Sequence, residues 1–222
     1  ESTIANYNAI NNTLDLYIAT QYPHYDREEV ARCLNMKEEN INVINMTIGG
    51  AFGAREDINP QCHAAIASYI TKRPVKIRYS REESTISHSK RHPMKMYYKT
   101  AVNSDRKLSA LKARIYADTG AYASWGINVI RKAAVHATGP YEIPNVDIKA
   151  YAIYTNNPFC GAMRGFGAAQ VPIAYESQMD ILAEKLNIHP LKFRNINTFT
   201  SGSYTATGQK LEESVVVKKC IE

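Results

Sequence analysis

Arg164 stands in the run NNPFCGAMRGFGAAQ over residues 156–170, among Gly161, Ala162, Gly165, Gly167, Ala168 and Ala169 and two positions before Phe166. Side chains this small leave backbone N–H groups open to close approach by a ligand, and glycine reaches φ/ψ values that other residues avoid. An arginine in that setting can grip a phosphate or an oxo group with its planar fork of donors. The run GGAFGARE over residues 49–56 is built the same way: small residues, then Phe52, then the charged Arg55 and Glu56. Two such loops imply two walls of one site for a polar ligand. The competing reading is a pair of tight turns in an ordinary globular fold, since isolated glycine-rich motifs recur by chance.

Other chemistries fit less well. GGAFGA follows an apparent strand and precedes an apparent helix, as a dinucleotide-binding turn does. Its glycines fall at 49, 50 and 53, off the G-x-G-x-x-G spacing; Phe52 would crowd a pyrophosphate, and no Walker lysine follows. Glu56 reads either as a carboxylate favoured by the dipole of the helix that follows or as a pocket acid that bonds a substrate nitrogen or oxygen. His24, His63, His88, His92, His136 and His189 form no HExxH and no metal-ligand pair. Cys33, Cys62, Cys160 and Cys220 lack zinc or iron–sulfur spacing, and there is no G-x-S-x-G nucleophile elbow. Trp125 and the tyrosines read as core packing.

The elements that must carry these loops alternate between strand and helix patterns. Strands are expected over 14–20, 41–46, 75–79, 94–101, 108–117 and 145–155, from alternating apolar positions. Helices are expected from Asp26, taken as a cap, to about Asn35, and over 60–72, 170–186 and a short stretch from Pro190. The run 212–222 also reads as helical, and 202–208 as the loosest part. Strands and helices mix without strict βαβ alternation, which favours an α+β fold. No linker marks an internal boundary, so residues 1–222 read as one piece of a domain.

The chain has 222 residues, 45% of them apolar, and a net charge of +6. The basic excess gathers in 72–99, where Glu82 and Glu83 interrupt it and several cations alternate with apolar residues. That pattern reads as a solvated strand face or a surface for an acidic partner subunit, not as a nucleic-acid patch. No apolar run approaches the roughly 20 residues of a membrane helix, and no secretory signal stands at the start. Scattered cysteines then read as reduced thiols of a cytoplasmic protein. The absence of an initiator methionine suggests a fragment cut from a longer polypeptide.

Six segments together resemble one family. AMRGFGAAQ at 162–170 is similar to the A-F-R-G-F-G-x-P-Q signature of xanthine dehydrogenase and its molybdenum-hydroxylase relatives, the aldehyde oxidases among them. GGAFGARE at 49–56 resembles their G-G-x-F-G-x-K-E loop. GPYEIPN at 139–145, KRHP at 90–93, ADTGAY at 117–122 and ESQMDILAEKLNIHP at 176–190 resemble further segments, in the family's order. The resemblance covers nearly the whole chain and implies part of the molybdenum-binding subunit, with the α+β fold of its molybdopterin-binding domain.

It also implies roles. Gln21 matches a glutamine beside the molybdenum oxo ligand. Phe52 and Gly53 match the loop whose backbone faces the metal's apical oxygen. Arg164 matches the arginine that holds the cofactor. Gln21, Phe52 and Arg164 would thus surround the metal without ligating it. Glu56 matches a substrate-binding glutamate of purine hydroxylases, and Phe166 a phenylalanine that packs on an aromatic substrate ring. The family's substrate arginine falls on Lys132, beside Arg131; lysine lacks the planar fork. Ala51, Ala54 and Ala169 are mild departures. The catalytic base, a glutamate in a G-V-G-E motif, is absent from this chain, so no turnover is expected from it alone. The implied cofactor is a molybdenum–molybdopterin, in a dinucleotide form, with 2Fe-2S and FAD on other domains or subunits. The implied partners are those domains and the remaining half of the molybdenum subunit. The implied activity is hydroxylation of a purine-like or other N-heterocycle with oxygen from water. The alternatives are an aldehyde or nicotinate-type hydroxylase, and a cofactor-free assembly module.

Overall fold

The structure is a computed structural model that describes residues 1–222. The chain folds into two compact units, Glu1–Arg91 with Gly161–Arg164, and His92–Cys160 with Gly165–Glu222. The segment Gly161–Arg164 therefore joins the first unit although it lies far along the chain.

In the first unit, strands β1 (Ser2–Asn8), β2 (Thr13–Ile18), β3 (Ile41–Asn45) and β4 (Val75–Arg78) form one sheet in the order β3-β2-β1-β4. β1 runs antiparallel to β2 and β4, and β2 runs parallel to β3. Period-two alternation sets the faces: Ala5, Tyr7, Leu14, Leu16 and Ile18 are buried, and their neighbours are more exposed. Helices α1 (Pro23–Leu34) and α2 (Pro60–Thr71) supply Val30, Ala31, Ala64 and Ala65 to the same core. Both start on proline, whose missing N–H is not needed there, and both end on a residue in the left-handed region, Asn35 and Lys72. A short helix α3 (Arg81–Ser87) starts from a reciprocal cap: Ser80 Oγ accepts the Glu83 N–H, and the Glu83 carboxylate accepts the Ser80 N–H.

In the second unit, β5 (Met94–Val102), β6 (Leu108–Gly120) and β7 (Asn145–Tyr154) form a sheet in that order, antiparallel then parallel. The parallel pair requires a crossover, which carries α4 (Gly126–Val135). One sheet face packs on α4, α5 (Pro172–Lys185) and α6 (Pro190–Asn197). There Ile115 meets Ala133 of α4, while Leu111 and Ala113 meet Met179 of α5 and Phe193 of α6. Arg194 ties α6 to α5 through Glu176 and Asp180, each at 2.7 Å, and the Tyr141 hydroxyl also donates to Glu176.

The α+β expectation agrees with this architecture. Three details differ. Asp26 does not cap α1: the helix starts at Pro23, and Asp26 is buried in its first turn. β1, α3 and α4 were not expected from the sequence. The buried positions of β1, Thr3, Ala5 and Tyr7, are small or polar, so its alternation is weak, and α4 is rich in Ile and Val, which also suit strands. In the run 212–222, helix is confined to α7 (Val217–Ile221).

Candidate cofactor and substrate site

The first unit carries a candidate site at the carboxyl ends of two adjacent parallel strands, where open sheets commonly bind ligands. β2 leads into Thr20 and Gln21, and β3 leads into the glycine loop at 49–56. Asn45, at the end of β3, clamps the two exits: its Oδ1 accepts the Thr20 N–H and its Nδ2 donates to the Thr20 carbonyl, both at 3.1 Å. The Gln21 N–H donates to the Arg55 carbonyl at 3.0 Å. The Gln21 side chain then spans the loop. Its Oε1 accepts the Gly53 N–H, and its Nε2 donates to Glu56 Oε1, both at 3.1 Å. A backbone N–H can only donate, so the Gly53 contact fixes which end of the amide is oxygen.

The loop is held from its far side as well. Arg55 Nη1 donates to Glu1 at 3.0 Å and to the Ala19 carbonyl at 3.3 Å, and His88 Nε2 lies 2.5 Å from the Ala54 carbonyl. This support lets the loop hold Phe52 at φ 56° and Gly53 at φ 91°. A left-handed phenylalanine is uncommon and is sustained by its surroundings. Phe52 is 67% exposed, so its conformation presents the ring outward and contributes little to the core.

The second loop enters the same unit through Gly161–Arg164. A Cβ on Gly53 would meet the Ala162 carbonyl carbon and oxygen at 3.0 Å, so the two loops touch backbone to backbone. Gly161 is tighter still: a Cβ there would stand 1.8 Å from Asp57 Oδ2. Arg164 is exposed, with its guanidinium carbon 5.6 Å from the Phe52 ring centroid, a cation–π distance. Five predicted site residues, Gln21, Phe52, Gly53, Glu56 and Arg164, are thereby brought together. Burial first, and the neighbouring Asp57 second, push the Glu56 carboxyl above its ordinary range, while the Gln21 hydrogen bond opposes the shift.

Phe166 and Lys132 belong to the second unit. Gly165, Phe166 and Gly167 all have positive φ, and a Cβ on Gly167 would stand 2.1 Å from the Val129 carbonyl oxygen. The loop therefore lies directly on α4. Phe166 packs beside Trp125, with ring centroids 6.4 Å apart, against the cluster of Ala117, Val129 and Ile130. Lys132 and Arg131 are exposed on α4 itself.

Sequence reasoning missed three of the supports: Thr20, Asn45 and His88 carry no motif, and their roles arise from contacts made only in the fold. No group of three or more His, Cys, Asp or Glu side chains is arranged to hold a metal ion. What the loops offer is N–H donors, bare backbone and one exposed guanidinium. That donor set fits an anionic, oxygen-rich cofactor that brings its own metal ligands, and Gly49, with nothing within 4 Å of a would-be Cβ, leaves the loop open on one side.

The molybdopterin cofactor-binding domain family matches residues 1–198. The chain belongs to that family. It is 47% identical over 209 residues to the nicotinate dehydrogenase large molybdopterin subunit of Eubacterium barkeri, covering 94% of this chain and 49% of that one. It is 41% identical over 182 residues to a probable xanthine dehydrogenase subunit of Bacillus subtilis, covering 82% of this chain and 24% of that one. Among solved structures, the aldehyde oxidoreductase of Desulfovibrio gigas superimposes with a TM-score of 0.90 at 27% identity, over 99% of this chain and 24% of that one. Quinoline 2-oxidoreductase from Pseudomonas putida gives 0.89 at 27% identity, over 99% and 29%. The chain thus spans about half the length of the first of these relatives and about a quarter of the second. The molybdenum-hydroxylase resemblance and the molybdopterin cofactor class read from the sequence agree with these matches. No helix is long and apolar enough to cross a membrane.

Proposed function

We propose that this chain forms part of the molybdenum site of an oxidoreductase that hydroxylates an N-heteroaromatic ring. The observation that carries this reading is Glu56, a carboxylate held by Gln21 against the glycine loop and biased by burial toward its protonated form. Such a group can accept a ring N–H when ionised or donate to a ring nitrogen when protonated, which an aldehyde does not require. Gln21 holds Glu56 and the Gly53 amide in one geometry, and Arg164 offers its fork to an anionic group of the cofactor. Phe166 supplies a flat apolar surface for an aromatic ring. The molybdenum cofactor, when bound, supplies the two-electron oxidation and the insertion of oxygen from water. The general base, the iron–sulfur and flavin centres and the rest of the cofactor pocket come from other segments or subunits.

A second, narrower reading is a pyridine carboxylate as substrate. It is favoured by Lys132, whose ammonium suits a carboxylate as a point charge where a fork is lacking. The 47% identity to a nicotinate dehydrogenase subunit supports the same choice.

The test is the complete molybdenum subunit with Glu56→Gln, assayed with nicotinate, hypoxanthine and an aromatic aldehyde. A loss of about a hundredfold or more in kcat/KM for a heterocycle, with aldehyde turnover nearly unchanged, is expected. Equal losses on all three substrates would sink the assignment of Glu56 to the ring.

A further inference from the structure

The second unit's sheet has one face packed on helices and one face open, and the open face is not an ordinary solvated surface. Cross-strand register lays its side chains in rows. Tyr116 lies opposite Lys95 on one side and Tyr151 on the other, and the two tyrosine rings stack with centroids 5.1 Å apart at 10°. Tyr97 meets Tyr116 edge-on at 6.1 Å, so an aromatic row crosses all three strands. Tyr97, Tyr116 and Tyr151 are 63%, 37% and 43% exposed.

The cations around this row are also set by register. Arg114 lies opposite Lys149, and Lys112 opposite Lys99. Like charges directly opposite destabilise a sheet, so solvent exposure alone gives no reason to keep them. Asp147 relieves part of the repulsion by closing on Arg114 at 2.6 Å. Lys95, Lys99 and Lys149 carry no counter-charge closer than the ion-pair limit on this face. An exposed aromatic centre is what protein-binding patches carry, tyrosine being enriched there, and the lysines stand where such a patch has its polar, solvent-accessible rim.

We infer that the open face of β5, β6 and β7 docks a partner polypeptide of the assembled enzyme, one that presents carboxylates around an apolar centre. The carboxylates would answer the lysine rim and the apolar centre would cover Tyr97, Tyr116 and Tyr151. A nucleic-acid ligand fits less well: Tyr116 and Tyr151 use their ring faces on each other rather than on bases, and Asp118 and Asp147 stand among the cations. The inference rests on the proposed function only in expecting other subunits.

Lysine acetylation, mapped by mass spectrometry on the isolated chain and on the purified assembled enzyme, tests it. Lys95, Lys99, Lys112 and Lys149 should label at least tenfold more slowly in the assembly, while Lys37, Lys185 and Lys192, exposed elsewhere, label equally in both. The double variant Lys95→Glu, Lys149→Glu should weaken assembly at least tenfold at low salt with an unchanged melting temperature, while Lys185→Glu assembles as wild type. Protection in an assembly that lacks hydroxylase activity still supports the docking face and counts against the functional reading alone. Equal labelling of the four lysines in an active assembly overturns the docking face. Protection by a single-stranded oligonucleotide, or by self-association of the isolated chain, overturns it in favour of that other occupant.

Discussion

The Gln21 side chain hydrogen-bonds Glu56 Oε1 at 3.1 Å and, through its other atom, takes the Gly53 N–H at the same distance. One neutral amide thus fixes the carboxylate and the loop backbone together. Gln21→Ala removes a donor from Glu56 and an acceptor from Gly53 at once. The Glu56 carboxyl should titrate at higher pH, because the one hydrogen bond that favours its charged form is gone. Unfolding free energy should fall by about 1–2 kcal/mol. Carbon-13 titration of Glu56 and urea denaturation read the two effects; an unmoved or lowered titration would contradict the bridge.

The contact of Gly161 with Asp57 separates steric from conformational demands on glycine. A Cβ at Gly161 would stand 1.8 Å from Asp57 Oδ2, whereas one at Gly49 meets nothing within 4 Å and needs no positive φ. Gly161→Ala should destabilise the first unit by about 2 kcal/mol or more, as overpacking does. Gly49→Ala should be neutral within about 0.5 kcal/mol. Comparable denaturation midpoints for the two variants would refute this packing.

Asp26 predicts an inverted pH dependence. Burial raises its pKa from 3.8 to about 6, against weaker opposing hydrogen bonds from Thr20 and Gln61, and its Oδ2 has no partner. The folded state therefore holds the proton more tightly than the unfolded chain. Its contribution to stability is full below about pH 4 and declines as pH rises through 6, by about 3 kcal/mol in total. Asp26→Asn keeps the shape and removes the titration. The variant should match wild type near pH 4 and exceed it by a few kcal/mol at pH 8. A pH-independent difference between the two proteins, measured by chemical denaturation, would show that the carboxyl does not titrate this way.

Two arginines should behave oppositely. Arg164 is exposed beside Phe52, while the Arg194 side chain is 16% exposed and closes on Glu176 and Asp180. Arg194→Ala strands Glu176 next to Tyr141 and should cost about 2 kcal/mol or more. Arg164→Ala should leave the melting temperature of this chain nearly unchanged but lower the molybdenum content of the complete subunit. Thermal unfolding and elemental analysis separate these roles; full molybdenum loading in Arg164→Ala would remove it from the cofactor site.

Much of this molecule could be read locally. The two glycine loops, Arg164 and Glu56 stood out because small residues, an arginine and a carboxylate are informative at short range. Strands such as β2 and β6 announced themselves because half-buried strands require period-two alternation. Alanine-rich sequence marked α2, and Pro190, suited to a first helical position, marked α6. The tertiary structure alone decided the rest. Gln21 spans to Glu56 because β2 and β3 pair in parallel and bring distant exits to one edge, and Gly161–Arg164 joins the first unit with Ala162 against Gly53. Asp26 looked like a cap and is instead buried, since burial depends on α2 and Gln61 lying over it. The tyrosine row exists through the register of β5, β6 and β7. Pairing and register come from the summed burial of a whole core, and no short stretch of sequence contains that sum.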